Sequence, residues 1–182
     1  MNFEFKETAI SDLKIIAPRL FKDERGFFYE TYKLSSFIRA GITESVVQSN
    51  QSFSTLGVVR GLHFQHGENA QSKLVRCIQG EIYDVAVDLR RSSSTFGKTF
   101  GVKLSQENRL MLFIPVGFAH GFSVLSEVAE VAYDVSAEYD PKAEGGIRFD
   151  DPDLAIDWQV KLPIVSAKDL VLPPLKDLKI FF

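Results

Sequence analysis

Short β-prone runs recur along this chain, and turn residues cut them before any long helix can form. Residues 46–53, 71–78, 82–89, 100–104, 110–114, 118–124 and 128–135 read as strands. Gln79-Gly80, Ser92-Ser93-Ser94, Ser105-Gln106-Glu107-Asn108 and Pro115-Val116-Gly117 supply turn signals between several of them. Residues 27–32 add an aromatic strand. Residues 36–41 form the one clear short helix, with a serine near its start and Gly41 at its end. Many short strands at this spacing predict an all-β antiparallel sandwich or barrel. Beyond Trp158, Pro163, Pro173 and Pro174 predict an irregular C-terminal arm that wraps the barrel.

The 182 residues fit a single domain, 1–182, large enough for a proper core. A net charge of −3 gives no general attraction for nucleic acid or an anionic membrane, so neither is expected as a partner. An anionic ligand must then be held by a local group of cations. The lone Cys77 cannot form an internal disulfide, which fits a reducing compartment. The first ten residues carry Glu4, Lys6 and Glu7 around no apolar core, unlike a signal peptide, and no apolar run approaches membrane length. Cytoplasm is the expected location.

Chemistry concentrates in Arg60-Gly61-Leu62-His63-Phe64-Gln65 and the Gln71-Ser72-Lys73 that follows. An imidazole between two cations in a strand points to a cleft with a base and a place for negative charge. A second histidine, His120, lies in the apolar stretch Pro115-Val116-Gly117-Phe118-Ala119-His120-Gly121-Phe122. Period-2 reading puts Gln48, Asn50, Ser52 and Ser54 on one strand face, either solvated or lining a polar pocket. His63 and Gln65 share a face, with Arg60 opposite unless Gly61 introduces a bulge. Lys73, Val75 and Cys77 share a face in the next strand, Ile82, Asp84, Ala86 and Asp88 in the one after, and Val131, Tyr133 and Val135 in a later one.

Gly57-x5-His63-x-Gln65 and Pro115-x-Gly117-x-x-His120 resemble the two motifs of the cupin superfamily of β-barrels. A metal-binding cupin has a second histidine where Gln65 stands. Gln is a poor transition-metal ligand, and Glu68 falls one residue short of the usual spacing. No metal site is expected, and a metal-dependent cupin using a carboxylate such as Asp84 ranks lower.

The chain also resembles, more closely, the dTDP-4-dehydrorhamnose 3,5-epimerase family, a metal-independent cupin-type group. The matching stretches are Asp23-Glu24-Arg25-Gly26-Phe27-Phe28-Tyr29-Glu30, Gln48-Ser49-Asn50-Gln51-Ser52, Arg60 to Gln65, Gln71-x-Lys73-Leu74-Val75-Arg76, Asp84 to Arg90, Pro115 to Phe122, Asp150-Asp151-Pro152 and Ser166-Ala167-Lys168-Asp169. They run in family order over nearly the whole chain. The resemblance implies a jelly-roll β-barrel with one or two short helices, no cofactor, and a homodimer whose nucleotide site is shared between chains. The implied substrate is a dTDP-4-keto-6-deoxyhexose, epimerised at C3 and C5.

By the same resemblance His63 is the base, Asp169 its carboxylate partner, Lys73 the group beside the enolate oxygen and Tyr133 the proton donor. Asp84 is an alternative partner for His63. Arg25 and Arg60 match diphosphate-binding arginines. Glu30, Gln48, Ser49 and Asn50 match polar contacts to the nucleotide, and His120 a sugar contact. Tyr139 matches an aromatic stacked on thymine, with Phe27 as a second ring face, and Glu144 and Lys168 match further binding positions. The loop His66-Gly67-Glu68-Asn69-Ala70 lacks a proline often found there, but no catalytic group is missing. Inversion at one carbon only, or a non-catalytic sugar-nucleotide binding module, are the other readings the residues leave open.

Overall fold

The computed structural model describes residues 2–180 and 182. Its strands are β1 (Phe3–Glu7), β2 (Lys14–Pro18), β3 (Phe21–Asp23), β4 (Gly26–Phe28), β5 (Gln48–Thr55), β6 (Val58–Gln65) and β7 (Lys73–Gln79). They continue with β8 (Glu81–Asp88), β9 (Thr99–Ser105), β10 (Met111–Ile114), β11 (Phe118–Val124), β12 (Val128–Val135), β13 (Glu144–Gly146) and β14 (Ile164–Val165). Two short α-helices are α1 (Leu34–Arg39) and α2 (Ala167–Leu170). One sheet has the order β1-β2-β10-β7-β12-β5, the other β13-β6-β11-β8-β9, and β3 and β4 form a separate hairpin. This is a cupin-like jelly roll.

The inner faces follow the period-2 reading. Val75 and Cys77 of the first sheet meet Ile82, Ala86, Phe118 and Phe122 of the second in the barrel core. The larger of these side chains, Val75, Ile82, Phe118 and Phe122, each contribute about 1.5–3 kcal/mol of transfer free energy on burial. The second sheet is covered on its outer side too: Val85, Val87, Leu89 and Ala119 pack against Leu154, Trp158 and Leu178 of the arm. All seven residues of β11 are therefore buried, His120 and Ser123 among them, so the strand lacks the apolar–polar alternation of a half-exposed one. Outside the first sheet, Phe37 of α1 packs with Phe3, Ile16, Leu74 and Met111. The Gln79-Gly80 turn joins β7 to β8. Gly80 has φ +77, and a Cβ there would lie 2.1 Å from the Val128 carbonyl oxygen, so no larger residue fits.

Three local expectations are corrected. The aromatic strand predicted over 27–32 ends at Phe28, because the β3–β4 hairpin is only three residues deep. The helix begins two residues before Ser36, after Lys33, and no side chain caps it. Ser36 is inside it, and packing of Phe37 rather than a cap hydrogen bond holds it. Strands β1, β2, β3, β13 and β14 had no counterpart in the sequence reading; β3 and β13 are three residues long and β14 two.

Candidate active site

A cleft of about 480 Å³ opens between the two sheets. Its walls are Arg60 and His63 of β6, His120 of β11, Lys73 of β7, Tyr133 of β12, Ser52 of β5 and Asp169 of the arm. A second hollow of about 270 Å³ shares His63, Lys73 and Tyr133 and continues to Gln48, Asn50, Tyr139 and Glu144. The polar face of β5 thus lines a pocket. Arg60 and His63 lie on the same cleft because the β6–β11 register shifts beside Gly61, the irregularity that the glycine allowed for.

His63 Nε2 lies 2.7 Å from Asp169 Oδ1. The other Asp169 oxygen accepts from the Gly61 backbone N–H at 3.3 Å. Asp169 reaches this place because Ser166 caps α2, its hydroxyl accepting from the Asp169 N–H at 3.1 Å. Burial opposes charge on Asp169, yet the His63 and Gly61 contacts outweigh it and hold its carboxyl below the ordinary carboxylate range. Asp84, the alternative partner, is not at His63. It is fully buried and pairs with His120 Nε2 at 2.7 Å, since the β8–β11 pairing sets these two strands side by side.

Lys73 Nζ donates to the His63 carbonyl at 3.3 Å. Burial pulls its ammonium down to about 8, against the attraction of Asp84 and Glu144. It stays mostly protonated at neutral pH while being a far weaker base than an exposed lysine. Tyr133 rises from the sheet opposite His63. A group placed between them meets an imidazole on one side and a phenol on the other.

At the cleft mouth, Lys168 Nζ sits 2.7 Å from both Glu144 carboxylate oxygens, and the Tyr139 hydroxyl donates to Glu144 at 2.8 Å. Burial opposes ionisation of Glu144, but these two bonds prevail and lower its carboxyl. Arg60 is anchored by Nε on the Ser54 hydroxyl at 3.0 Å.

Four residues of the predicted set lie elsewhere in the chain's own fold. Ser49 points to the outer face of the first sheet, donating to Asp134 at 2.5 Å. It alternates with Gln48 and Asn50, so it does not line the cleft of its own chain. Arg25 and Phe27 border a separate surface hollow on the β3–β4 hairpin. There Arg25 pairs with Asp23, and the Arg109 guanidinium lies 4.5 Å over the Phe27 ring. Glu30 sits 3.8 Å from Lys33.

Among the described residues no group of three or more His, Cys, Asp or Glu could hold a metal ion. Gln65, at the position of a cupin ligand, donates to the Asn69 and Glu138 carbonyls and accepts from the Asp140 N–H. No described helix is long and apolar enough to cross a membrane. Sequence reasoning missed Ser166 as the cap that fixes Asp169; its signal was the Ser-x-x-Asp spacing. The wall made by Ile164 and Val165 had no signal.

A family profile described as dTDP-4-dehydrorhamnose 3,5-epimerase matches residues 7–177. The dTDP-4-dehydrorhamnose 3,5-epimerase of Salmonella typhimurium is 52% identical over 169 residues, covering 92% of this chain and 92% of that protein. The crystal structure of the enzyme of that name from Elizabethkingia anophelis superposes with a TM-score of 0.95 at 46% identity, over 99% of this chain and 100% of that one. A dTDP-6-deoxy-D-glucose-3,5-epimerase from Legionella pneumophila, solved with dTDP-4-keto-L-rhamnose, gives 0.94 at 45% identity, over 97% and 95%. With the ordered motifs and this cleft, these likenesses establish that the chain belongs to the dTDP-4-dehydrorhamnose 3,5-epimerase family.

Proposed function

We propose that this protein epimerises dTDP-4-dehydro-6-deoxy-D-glucose at C3 and C5 to dTDP-4-dehydro-L-rhamnose, a step of dTDP-rhamnose biosynthesis. The observation that carries this is the cleft in which the His63–Asp169 pair faces Tyr133 from the opposite sheet, with Lys73 on the strand beside Tyr133.

The 4-keto group acidifies the hydrogens on both neighbouring carbons. Asp169 occupies Nε2 of His63, so Nδ1 is the nitrogen that takes the proton from carbon, and the buried carboxylate stabilises the imidazolium. The electron pair moves into the C–C bond and onto O4, where the Lys73 ammonium neutralises it. Tyr133 returns a proton to carbon from the other face, which inverts it. Imidazolium and phenolate re-equilibrate with water before the second carbon reacts.

In this reading Arg60 and Lys168 meet the diphosphate, and Gln48, Asn50, Tyr139 and Glu144 the nucleoside; their place on the two joined hollows supports it. Arg25, Phe27 and Glu30 lie off this cleft, and the hairpin presents Phe27 and Phe28 to solvent. They serve the cleft of a second copy in a homodimer. The chain works alone of cofactors in the cytoplasm. Mixing Arg25→Ala with His63→Ala protein tests the shared site: mixed dimers recover turnover that neither variant has, and no recovery refutes it.

The primary test follows dTDP-4-keto-6-deoxyglucose in deuterium oxide with chelator-treated protein. Deuterium with inversion at both C3 and C5 is expected. Inversion at one carbon would make it a single-carbon epimerase, and exchange only after metal is restored would return the metal-dependent reading.

A further inference from the structure

Asp169 serves His63 from a four-residue helix in an irregular arm, and a single helical turn does not hold its own place. The edge of β6 turned away from β11 shows what holds it. Val58 and Val59 pair there with β14, and His63 to Gln65 pair with β13. Leu62 and Ile147 exchange both backbone hydrogen bonds, at 3.1 and 3.0 Å. Arg60 and Gly61 lie between these two pairings. In that gap the Gly61 N–H donates to Asp169 Oδ2 at 3.3 Å, so the carboxylate stands where a strand partner would.

The arm is tied on both sides of this gap. Upstream are the β14 pairing and the Ile164 N–H, which donates to the Gly57 carbonyl at 2.8 Å. Downstream the Arg148 N–H donates to the Pro173 carbonyl at 3.0 Å. Leu172 packs on Gly146, where a Cβ would lie 2.8 Å from its Cδ1. The last downstream tie comes from Asp151, a buried carboxylate that lines neither hollow of the active site. Its Oδ1 accepts from the Asp153 and Leu154 N–H groups at 2.9 and 3.0 Å and closes the turn after it. Its Oδ2 accepts from the Leu175 N–H at 2.7 Å, across 24 residues of chain. Bonds to an ionised acceptor are about twice as strong as neutral ones, which makes this the firmest of the downstream ties.

We propose that Asp151 is a positioning residue: its carboxylate clamps the C-terminal arm at Leu175 and thereby holds Asp169 against His63. It touches no reacting atom and acts only through Asp169, whose part in catalysis rests on the epimerase reading. The spacing suits the task. Asp169 lies between Val165 on β6 and Pro173 on Arg148. With either end free, the one-turn helix could swing its carboxylate out of the gap at Gly61. The upstream end is held by strand pairing, and the downstream end depends on single contacts, of which the Asp151 bond is the charged one. The same carboxylate joins the two segments that cover β6, because the turn it closes follows directly on the chain that leaves β13.

Two substitutions break the clamp and spare the turn. Leu175→Pro removes the donor; Leu175 opens the 3₁₀ turn Leu175–Asp177 after an extended Pro174 at ψ 159, a setting that proline accepts. Asp151→Asn can keep its oxygen on the turn and set its amide N–H₂ against the Leu175 N–H. In each, kcat on dTDP-4-keto-6-deoxyglucose is expected to fall about tenfold or more, with KM moving less. In an Asp169→Asn background the same substitutions should change kcat by less than about twofold, because the group they displace is already disabled. Equal losses in both backgrounds overturn the proposal. So does a rise in KM at unchanged kcat, which would assign the tie to Lys168. Ring-nitrogen NMR of ¹⁵N-labelled protein needs no substrate: the His63 Nε2 signal, held by Asp169, should shift in the variants, while that of His120, held by Asp84, stays. A shift of both signals, or of neither, also overturns it. If neither variant folds, amide exchange in the wild type decides: a protected Leu175 N–H is expected, and exchange at the rate of an exposed loop overturns the clamp. A wild type that does not turn over this sugar refutes the epimerase reading, and the NMR and exchange results still decide the role of Asp151.

Discussion

Replacing Lys73 with methionine should make the protein more stable and nearly inactive. The ammonium lies in the cleft wall with, among the described residues, only the His63 carbonyl as a hydrogen-bond partner, and burial pulls it from 10.5 to about 8. That displacement already includes the attraction of Asp84 and Glu144. It corresponds to about 3 kcal/mol by which folding disfavours the charged form. Below pH 8 the lysine is charged in both folded and unfolded chains, so the whole cost is present. Between pH 8 and 10.5 the folded chain sheds the proton first, and the cost shrinks to nothing. Methionine fills similar space without charge. Lys73→Met should gain about 1–3 kcal/mol at pH 7, the lower figure allowing for the lost hydrogen bond. For a chain of this size each kcal/mol raises Tm by about 2–4 °C. Turnover should fall by about 10²–10³, the usual loss when a group that stabilises an oxyanion is removed. Urea unfolding at pH 7 and pH 10, beside the deuterium-exchange assay, measures both. A variant less stable than wild type, or a gain that stays the same at pH 10, would refute the view that the fold holds this ammonium charged against burial.

Four other perturbations follow from the same geometry. Asp169→Asn keeps the shape beside His63 but removes the charge that supports imidazolium; exchange at both carbons should fall by about 10²-fold or more in single-turnover mass spectrometry. Tyr133→Phe should impair inversion more than deuterium exchange, because proton removal does not need the phenol; equal loss of both would count against its role. Asp88 is buried but receives bonds from Arg90, Ser93 and Thr95 that hold its carboxyl at about 2. It should contribute roughly 2 kcal/mol that is present above pH 4 and lost as pH falls toward 2, and Asp88→Asn should flatten the acid limb of an unfolding profile by that amount. Gly61→Ala puts a Cβ 2.6 Å from Gly121 Cα and 2.7 Å from the His120 carbonyl at φ +119. It should cost about 2 kcal/mol or more in chemical denaturation and displace the Gly61 N–H from Asp169.

Much of the site was readable because strand periodicity is strict. Gln48, Asn50 and Ser52 had to share a face, and so did Lys73 with Val75 and Cys77; the structure turns both faces inward. The serine near the start of the predicted helix does not cap it; the helix begins after Lys33, and burial of Phe37 rather than a side-chain cap supports it. The β3–β4 hairpin looked like a longer strand because aromatic composition reports β propensity and not depth of pairing.

The sequence by itself determined the all-β class, most strand positions and the residue types needed to move a proton beside a ketone. Local periodicity and turn chemistry act within a few residues, so they can be read along the chain. Only the tertiary structure decided which carboxylate serves which histidine. Asp84 lies 21 residues from His63 in sequence and Asp169 far beyond it, yet β8 packs beside β11 while the arm returns over β6. That choice rests on strand order and on where an irregular tail lands, which are set by burial of Val59, Leu62 and Trp158 in a shared core. Non-local packing of that kind leaves no spacing in the sequence from which it can be read.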